Sequence, residues 1–357
     1  LKTLRSLALI GALAPFSIAH ALNAEQVFTG LSIPWGFEFI DDHRLILNEK
    51  YGDISLVDLS NQTKTRLYHV SDLYSGGQGG LMDVKASPFK RGEYYFTYSQ
   101  KDGNSGQTAL AKATLENDKL SNWTPLFVST SGSTTSYHFG SRLTFDSQFI
   151  YMSVGERGIR ENAQNLATHA GSILRLTPQG RAPKDNPFAG QADAKAEIWS
   201  YGHRNPQGLT FDPITGELWE VEHGPRGGDE INLIKRGANY GWPNVSYGKE
   251  YWGPVAVGDA TEKPGIESPQ LEYTPSIAPS SMILYRGERY PELSGKLLIG
   301  ALKLTHINVV SIDANGNLNQ EMRLFTGLNQ RIRQIAVSPN GTVFFSTDNG
   351  NLYRITE

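Results

Sequence analysis

The sequence predicts an all-β chain folded as a six-bladed β-propeller. Three observations carry that reading: six short apolar-alternating runs that end near a turn residue, a second β-rich run behind most of them, and 37 glycines and 18 prolines scattered between apolar segments instead of gathered in one tract. The six runs are "WGFEFIDD" from Trp35, "LMDVKASP" from Leu81, "SRLTFDS" from Ser141, "QGLTFDP" from Gln207, "SSMILYRG" from Ser280 and "RQIAVSP" from Arg333. Behind them follow "HRLILNEKYGDISLVDL", "FIYMSVGERG", "GELWEVEHG", "GKLLIGALK" and "GTVFFSTDNGNLYRI". The unit is therefore strand, turn, strand, turn, strand. Its spacing, roughly 45 to 75 residues, is that of a degenerate repeat with long insertions. A two-sheet sandwich would leave six similar units unexplained. Period-two alternation puts Val, Ile, Leu, Phe and Trp between blades and leaves the unusual residues to loops on one face. The last unit offers about three strands after Arg333, so the N-terminal "EQVFTGL" is expected to supply its outer strand and close the ring.

Ahead of that strand, "LKTLRSLALIGALAPFSIAHALN" has basic Lys2 and Arg5, an apolar stretch from Leu7 to Ile18, and small residues around Ala19 and Ala21. This order reads as a signal peptide over 1–21, cleaved after Ala21, with 22–357 as a single propeller domain exported to the periplasm or secreted. The apolar stretch falls short of the roughly 20 residues that cross a bilayer, so no stable membrane insertion is expected once it is removed. The chain has no cysteine, which excludes disulfides, a thiolate nucleophile and a Cys-ligated metal. Its formal charge of −3, without any basic run, gives no footprint for nucleic acid.

Chemistry concentrates between Ile198 and Pro243. Two polar loops, "GHRNPQG" and "EHGPRGGDE", flank the strands "LTFD" and "ELWEVE", and a meander brings them to neighbouring positions. The second loop is too rich in glycine and charge for a strand or helix. Its Gly-Pro can aim backbone carbonyls outward, and hard cations such as calcium take carbonyl and carboxylate oxygens, so the loop reads as a cation site. Arg331 and Arg333 in "QRIRQ" lie two apart on an expected strand start, face the same way, and can pair with carboxylates.

Taken with "GQGGLMDV", "HFGSRL", "NYGWP", "IGALK" and "QRIRQIAVSPNG", these segments resemble the aldose sugar dehydrogenase branch of the soluble, PQQ-dependent glucose dehydrogenases along nearly the whole chain after the leading segment. The resemblance implies oxidation of an aldose at its anomeric carbon to the lactone, with PQQ and Ca2+ as cofactors. His138 would be the general base as hydride passes to PQQ and electrons leave to an external acceptor. It implies that Gln78, Arg204, Asn205, His223, Lys303, Arg331 and Arg333 bind the cofactor or sugar. It also implies that Gly224 and Pro225 offer carbonyls to a calcium, and that Glu230 and Tyr240 hold a second, bracing calcium. Asp229 is expected to do different work from Glu230, and Thr347 and Asp348 to lie near the cofactor rim. Departures from the glucose-specific branch are His223 for a glutamine, Ser276 for a threonine, Thr274 for an aromatic, and "GERG" with Glu156 and Arg157, which puts the sugar contacts in doubt. A monomer is expected, as in that branch. Two other readings stay open at this stage: a calcium-dependent lactonase-like hydrolase with carboxylates around an axial metal, and a non-catalytic binding propeller in the cell envelope.

Overall fold

The computed structural model describes residues 21–357, and the expected signal segment lies outside them except for Ala21. Six four-stranded antiparallel sheets form the chain, and the first strand of each packs against the first strands of its two neighbours, closing a ring. Those innermost strands are Pro34–Phe39, Leu81–Ala86, Leu143–Phe145, Pro206–Phe211, Pro279–Tyr285 and Ile332–Val337. Each falls on one of the six apolar runs. Ring closure is as expected: Asn23–Phe28 pairs antiparallel with Asn351–Thr356 as the outer strand of the last blade. Among the described residues no helix is long and apolar enough to cross a membrane.

Apolar burial follows the alternation. Each blade interface holds its own cluster, such as Ile46, Ile54, Leu81 and Phe96 between the first two blades, or Tyr285, Leu298, Ile335 and Phe345 between the last two. At roughly 25 cal/mol per Å² of apolar surface removed from water, these six seams are the main source of cohesion.

The axis is polar. Five innermost strands slip register near one end, at Trp35, at Met82 and Asp83, at Gln207, at Ser280 and at Arg333. A bulge removes a residue from its ladder and re-aims its backbone. Four of the carbonyls so freed converge on the axis, where they would be orphans. Arg142, from the remaining blade, collects them: Nε donates to Gln207 O at 2.8 Å, Nη2 to Ser280 O at 2.7 Å and Arg333 O at 2.9 Å, and Nη1 to Trp35 O at 3.5 Å. Its Nη1 also donates to Gln334 Oε1 and meets Asp83 Oδ1 at 3.4 Å. One side chain thus ties its own blade to the other five. Burial lowers its pKa to about 10, so it stays charged at neutral pH.

Candidate active site

Loops from several blades meet at the end of the ring where the bulges lie. His138 occupies the loop before the third blade with φ +59°, a left-handed conformation that a non-glycine residue keeps only when its surroundings hold it. Gln78 Oε1 accepts from His138 N at 2.8 Å, and Arg157 holds the segment just before it. The buried Arg157 guanidinium donates to the carbonyls of Tyr137, Thr135 and Gly106 and stacks 3.5 Å over the Phe139 ring. Glu156, also buried, places Oε1 2.7 Å from His138 Nδ1. Nδ1 therefore carries the hydrogen and Nε2, which makes no hydrogen bond among the described residues, keeps its lone pair. Burial lowers the His138 pKa below its ordinary value, although Glu156 pulls the other way. The imidazole is neutral at neutral pH and poised as a base.

These contacts give the "GERG" segment a structural part in the site: Glu156 bonds the His138 ring, and Arg157 fixes the backbone that presents it. Gly155 is required beside them, because a Cβ there would strike the His138 carbonyl.

Next to His138 lies a cavity of about 250 Å³, lined among others by Trp35, Lys50, Gln78, Asn205, His223, Arg331, Arg333 and Asp348. Arg331 and Arg333 do face the same way, and both reach Asp348. Arg333 does so with two bonds at 2.7 and 2.8 Å while stacking 4.0 Å over Trp35; Arg331 uses one bond at 2.9 Å and remains half exposed. Burial opposes ionisation of Asp348, but the two guanidinium groups outweigh it and hold the carboxyl below the usual range. Lys50, whose Nζ donates to Gly77 O, adds a third cation. Its pKa is lowered by burial and by Arg333. Three cations against one carboxylate leave a positive pocket suited to an anionic ligand.

His223 walls this cavity and a second, smaller one. Its Nε2 donates to Pro279 O at 2.5 Å, and burial pushes its pKa down to about 3, so it is a neutral wall. The small cavity, about 10 Å³ and so room for one water-sized sphere, is lined by Arg204, Glu222, Glu230, Tyr240, Trp242 and Ser246 among others. Around it the charge is acidic. His203, Glu220 and Glu222 bring ligand atoms within 4.8 Å of one another, Glu220 Oε1 is buried without a partner, and burial with neighbouring carboxylates raises Glu220 and Glu230 well above the carboxylate range. A cation would answer that imbalance better than the protein does.

Between the two cavities runs the loop 223–230. Gly224 has no room for a side chain, since a Cβ would run into the Gly228 carbonyl. Asp229 braces the loop by accepting from Gly224 N at 2.9 Å and Ala278 N at 2.8 Å, and burial raises its pKa to about 6. Ser276 Oγ and Thr274 Oγ1 accept from Gly227 N and Gly228 N, so both substituted positions hold the same loop. Arg204 Nη1 donates to Gly224 O at 2.9 Å and Tyr251 Oη to Pro225 O at 3.0 Å. Each carbonyl retains a second lone pair.

Five of the expected residues, Gln78, Asn205, His223, Arg331 and Arg333, line the larger cavity; His138 adjoins it through Gln78, and Arg204 lines the small cavity. Lys303 does not join the larger cavity's lining: its side chain is exposed at the rim beside Leu302. Tyr240 presents its ring to the small cavity, but its hydroxyl is engaged, donating to Leu233 O and accepting from Lys235 N. What it could give a cation is its carbonyl, which accepts no hydrogen bond among the described residues. Asp348, not Thr347, points into the cavity; Thr347 bonds Gln330. Lys50 and Trp35 were not anticipated, though both sit in quoted strand runs. A larger hollow of about 660 Å³, where the first and last blades meet, includes turn residues at the opposite end of the ring and gathers no comparable set of cations with a free base.

A sequence model of the family described as glucose/sorbosone dehydrogenase matches residues 31–354. Aldose sugar dehydrogenase YliI of Escherichia coli (strain K12) is 36% identical over 348 residues, spanning 94% of this chain and 93% of that one. Quinoprotein glucose dehydrogenase B of Acinetobacter calcoaceticus is 26% identical over 418 residues, spanning 92% and 86%. The crystal structure of the soluble aldose sugar dehydrogenase from Escherichia coli in its apo-form superposes with a TM-score of 0.90 at 34% identity, covering 94% of this chain and 99% of that one.

Proposed function

Because the chain belongs to the glucose/sorbosone dehydrogenase family, we propose that it oxidises aldose sugars at the anomeric carbon to lactones, with His138 as general base and PQQ and calcium as cofactors. The observation that carries this reading is the pair formed by Glu156 and His138, 2.7 Å apart, which leaves Nε2 free on a residue whose backbone N bonds Gln78, part of the cationic cavity's lining. Glu156 fixes the tautomer, and Nε2 takes the proton of the C1 hydroxyl; such positioned proton transfer contributes typically ~10²–10⁴-fold. Gln78 and Asn205 line the cavity with amide groups that can orient sugar hydroxyls.

A tricarboxylate such as PQQ fits the donor set, because Lys50, Arg331 and Arg333 would hold its carboxylates, with Asp348 keeping the two arginines in place beforehand. Calcium fits at two places: against the Gly224 and Pro225 carbonyls, and in the acidic cavity of Glu230 and the Tyr240 backbone. When bound, PQQ would supply the two-electron sink, calcium the Lewis acid that polarises it, and an external acceptor would draw off the electrons. The hydrolase reading finds no support at the axis, where an axial metal would meet the Arg142 guanidinium.

The test is His138→Ala, assayed by dye reduction with aldoses in the presence of PQQ and calcium, alongside a direct PQQ titration. Turnover should fall by about 10²-fold or more while PQQ still binds. Near-normal turnover would remove His138 from its role, and wild-type silence under every condition would remove the dehydrogenase reading.

A further inference from the structure

Gln207 leaves the ladder at the bulge of the fourth blade, between Pro206 and Gly208. Its carbonyl goes to Arg142 at the axis, while its side chain, buried, is among those lining the larger cavity. There it closes a triangle of hydrogen bonds with the loop of the base. Gly140 N, two residues past His138, donates to Asn205 Oδ1 at 3.2 Å. Gln207 Nε2 donates to that same oxygen at 3.2 Å and to Gly140 O at 3.1 Å. Backbone polarity gives the triangle one direction. The Gly140 N–H can only donate and its carbonyl only accept, so the Asn205 end that meets them is oxygen and the Gln207 end is nitrogen. Flipping either amide, or both, sets donor against donor or acceptor against acceptor. Asn205 is also pinned along its backbone, its N donating to Glu222 Oε2 at 3.1 Å and its O accepting from His223 N at 3.2 Å. One polar end is left over: Asn205 Nδ2 makes no hydrogen bond among the described residues, and Asn205 lines the same cavity.

We propose that Gln207 is a positioning residue that locks the Asn205 amide, oxygen on the base loop and nitrogen turned to the cavity, so that one clamp sets both the donor offered to the cofactor and the loop carrying His138; this rests on the PQQ-dependent reading. The two ends of an Asn amide are nearly equal in size, so packing chooses poorly between them and hydrogen bonds decide. With Gln207 in place, a flipped Asn205 would meet two N–H groups; without it, only that of Gly140. The direction matters to the ligand. Lys50, Arg331 and Arg333 make the cavity cationic, and the carboxylate oxygens of a tricarboxylate only accept hydrogen bonds. An Asn205 nitrogen turned inward adds a donor to those cations, whereas its oxygen would oppose them. Because the clamp is formed before binding, little ordering is left for the ligand to impose.

The test is a double-mutant cycle on the full chain, read by titrating PQQ in the presence of calcium against intrinsic fluorescence. Gln207→Met, similar in shape but without a donor, should raise the PQQ dissociation constant by about threefold to tenfold, the size of one neutral hydrogen bond. In an Asn205→Ala background the same change should move it by less than about twofold, because the amide it orients is gone. An equal penalty in both backgrounds overturns the clamp and leaves Gln207 as a brace of Gly140 O or a ligand contact in its own right. So does a dissociation constant that Gln207→Met leaves unchanged. Gln207→Glu gives a second reading that does not need Asn205→Ala to fold. Burial opposes ionisation of the new carboxyl, so at pH 5 it keeps a hydrogen to donate and should bind PQQ more tightly than Gln207→Met; equal binding at that pH overturns the clamp. A wild type that binds no PQQ would fail the PQQ-dependent reading and the clamp's role with it, whereas a wild type that binds while the cycle is additive strikes the clamp alone.

Discussion

The axis and the rim both hold buried charge, and they treat it oppositely. On the axis, Arg142 has its donors matched by carbonyls and side chains from the other five blades. At the rim, charges are matched by partners a ligand could replace or join: Asp348 on Arg331 and Arg333, Arg204 and Tyr251 on the Gly224 and Pro225 carbonyls, and at Glu220 Oε1 no partner. The contrast teaches where to look for function in a symmetric fold. Charge that is satisfied by the fold holds the fold, and charge that is provisionally satisfied waits for a ligand.

Breaking the axis should have the largest effect. Arg142→Met leaves Asp83 buried without its cation and several carbonyls without donors, a loss of about 3–5 kcal/mol by analogy with other broken buried pairs. Urea unfolding monitored by fluorescence reads this as a fall in midpoint. A midpoint unchanged within error would mean that the axial bonds are incidental and that the apolar seams alone hold the ring.

On the rim, the sharpest probe is Glu156→Gln, which keeps an acceptor near His138 Nδ1 but removes the charge. Turnover should fall by about 10- to 100-fold, the cost seen when the outer-shell partner of a metal-bound histidine is removed. The pH profile carries the decisive sign. Burial lowers the His138 pKa and Glu156 partly restores it, so removing the carboxylate lowers it further. The acid limb of kcat/KM should therefore move to lower pH. A drop in turnover with no movement of that limb would reduce Glu156 to a structural brace.

Much of this contrast was hidden in the sequence for physical reasons. The six innermost strands were legible because alternation and turn residues are local signals, and the closing strand followed from a missing partner in the last blade. Arg142 stood inside the quoted "HFGSRL", yet its partners are backbone carbonyls at bulges up to 191 residues away, which no spacing encodes. Glu156 read as a departure because the loop alone cannot show that its carboxylate reaches His138. Lys50 and Trp35 follow ordinary strand patterns, and only the ring brings them beside Arg333. The glycine-rich loop 223–230 was legible, since few folds other than a ligand-approaching turn need that composition.

The smallest effect concerns the acidic cavity, and it would show whether the rim's imbalance is answered by a metal. Glu220 and Glu230 have folded pKa values raised well above normal by burial and by their neighbours' charges. Their unfolded values lie near about 4.3. The folded state therefore holds their protons more tightly, and the stability this contributes is fully present below the unfolded value and is lost as pH rises through the folded ones. In chelator, the melting temperature should decline as pH rises from 5 to 8. Calcium binds the ionised carboxylates and takes the place of those protons, so its stabilisation should grow with pH, reaching about 2.7 kcal/mol at a hundredfold excess over its dissociation constant. Glu230→Gln should shrink both the decline and the rescue. A calcium effect equal at both pH values and untouched by that substitution would place the ion elsewhere, and the raised carboxylates would then be protons held for structure, as the axis holds its arginine.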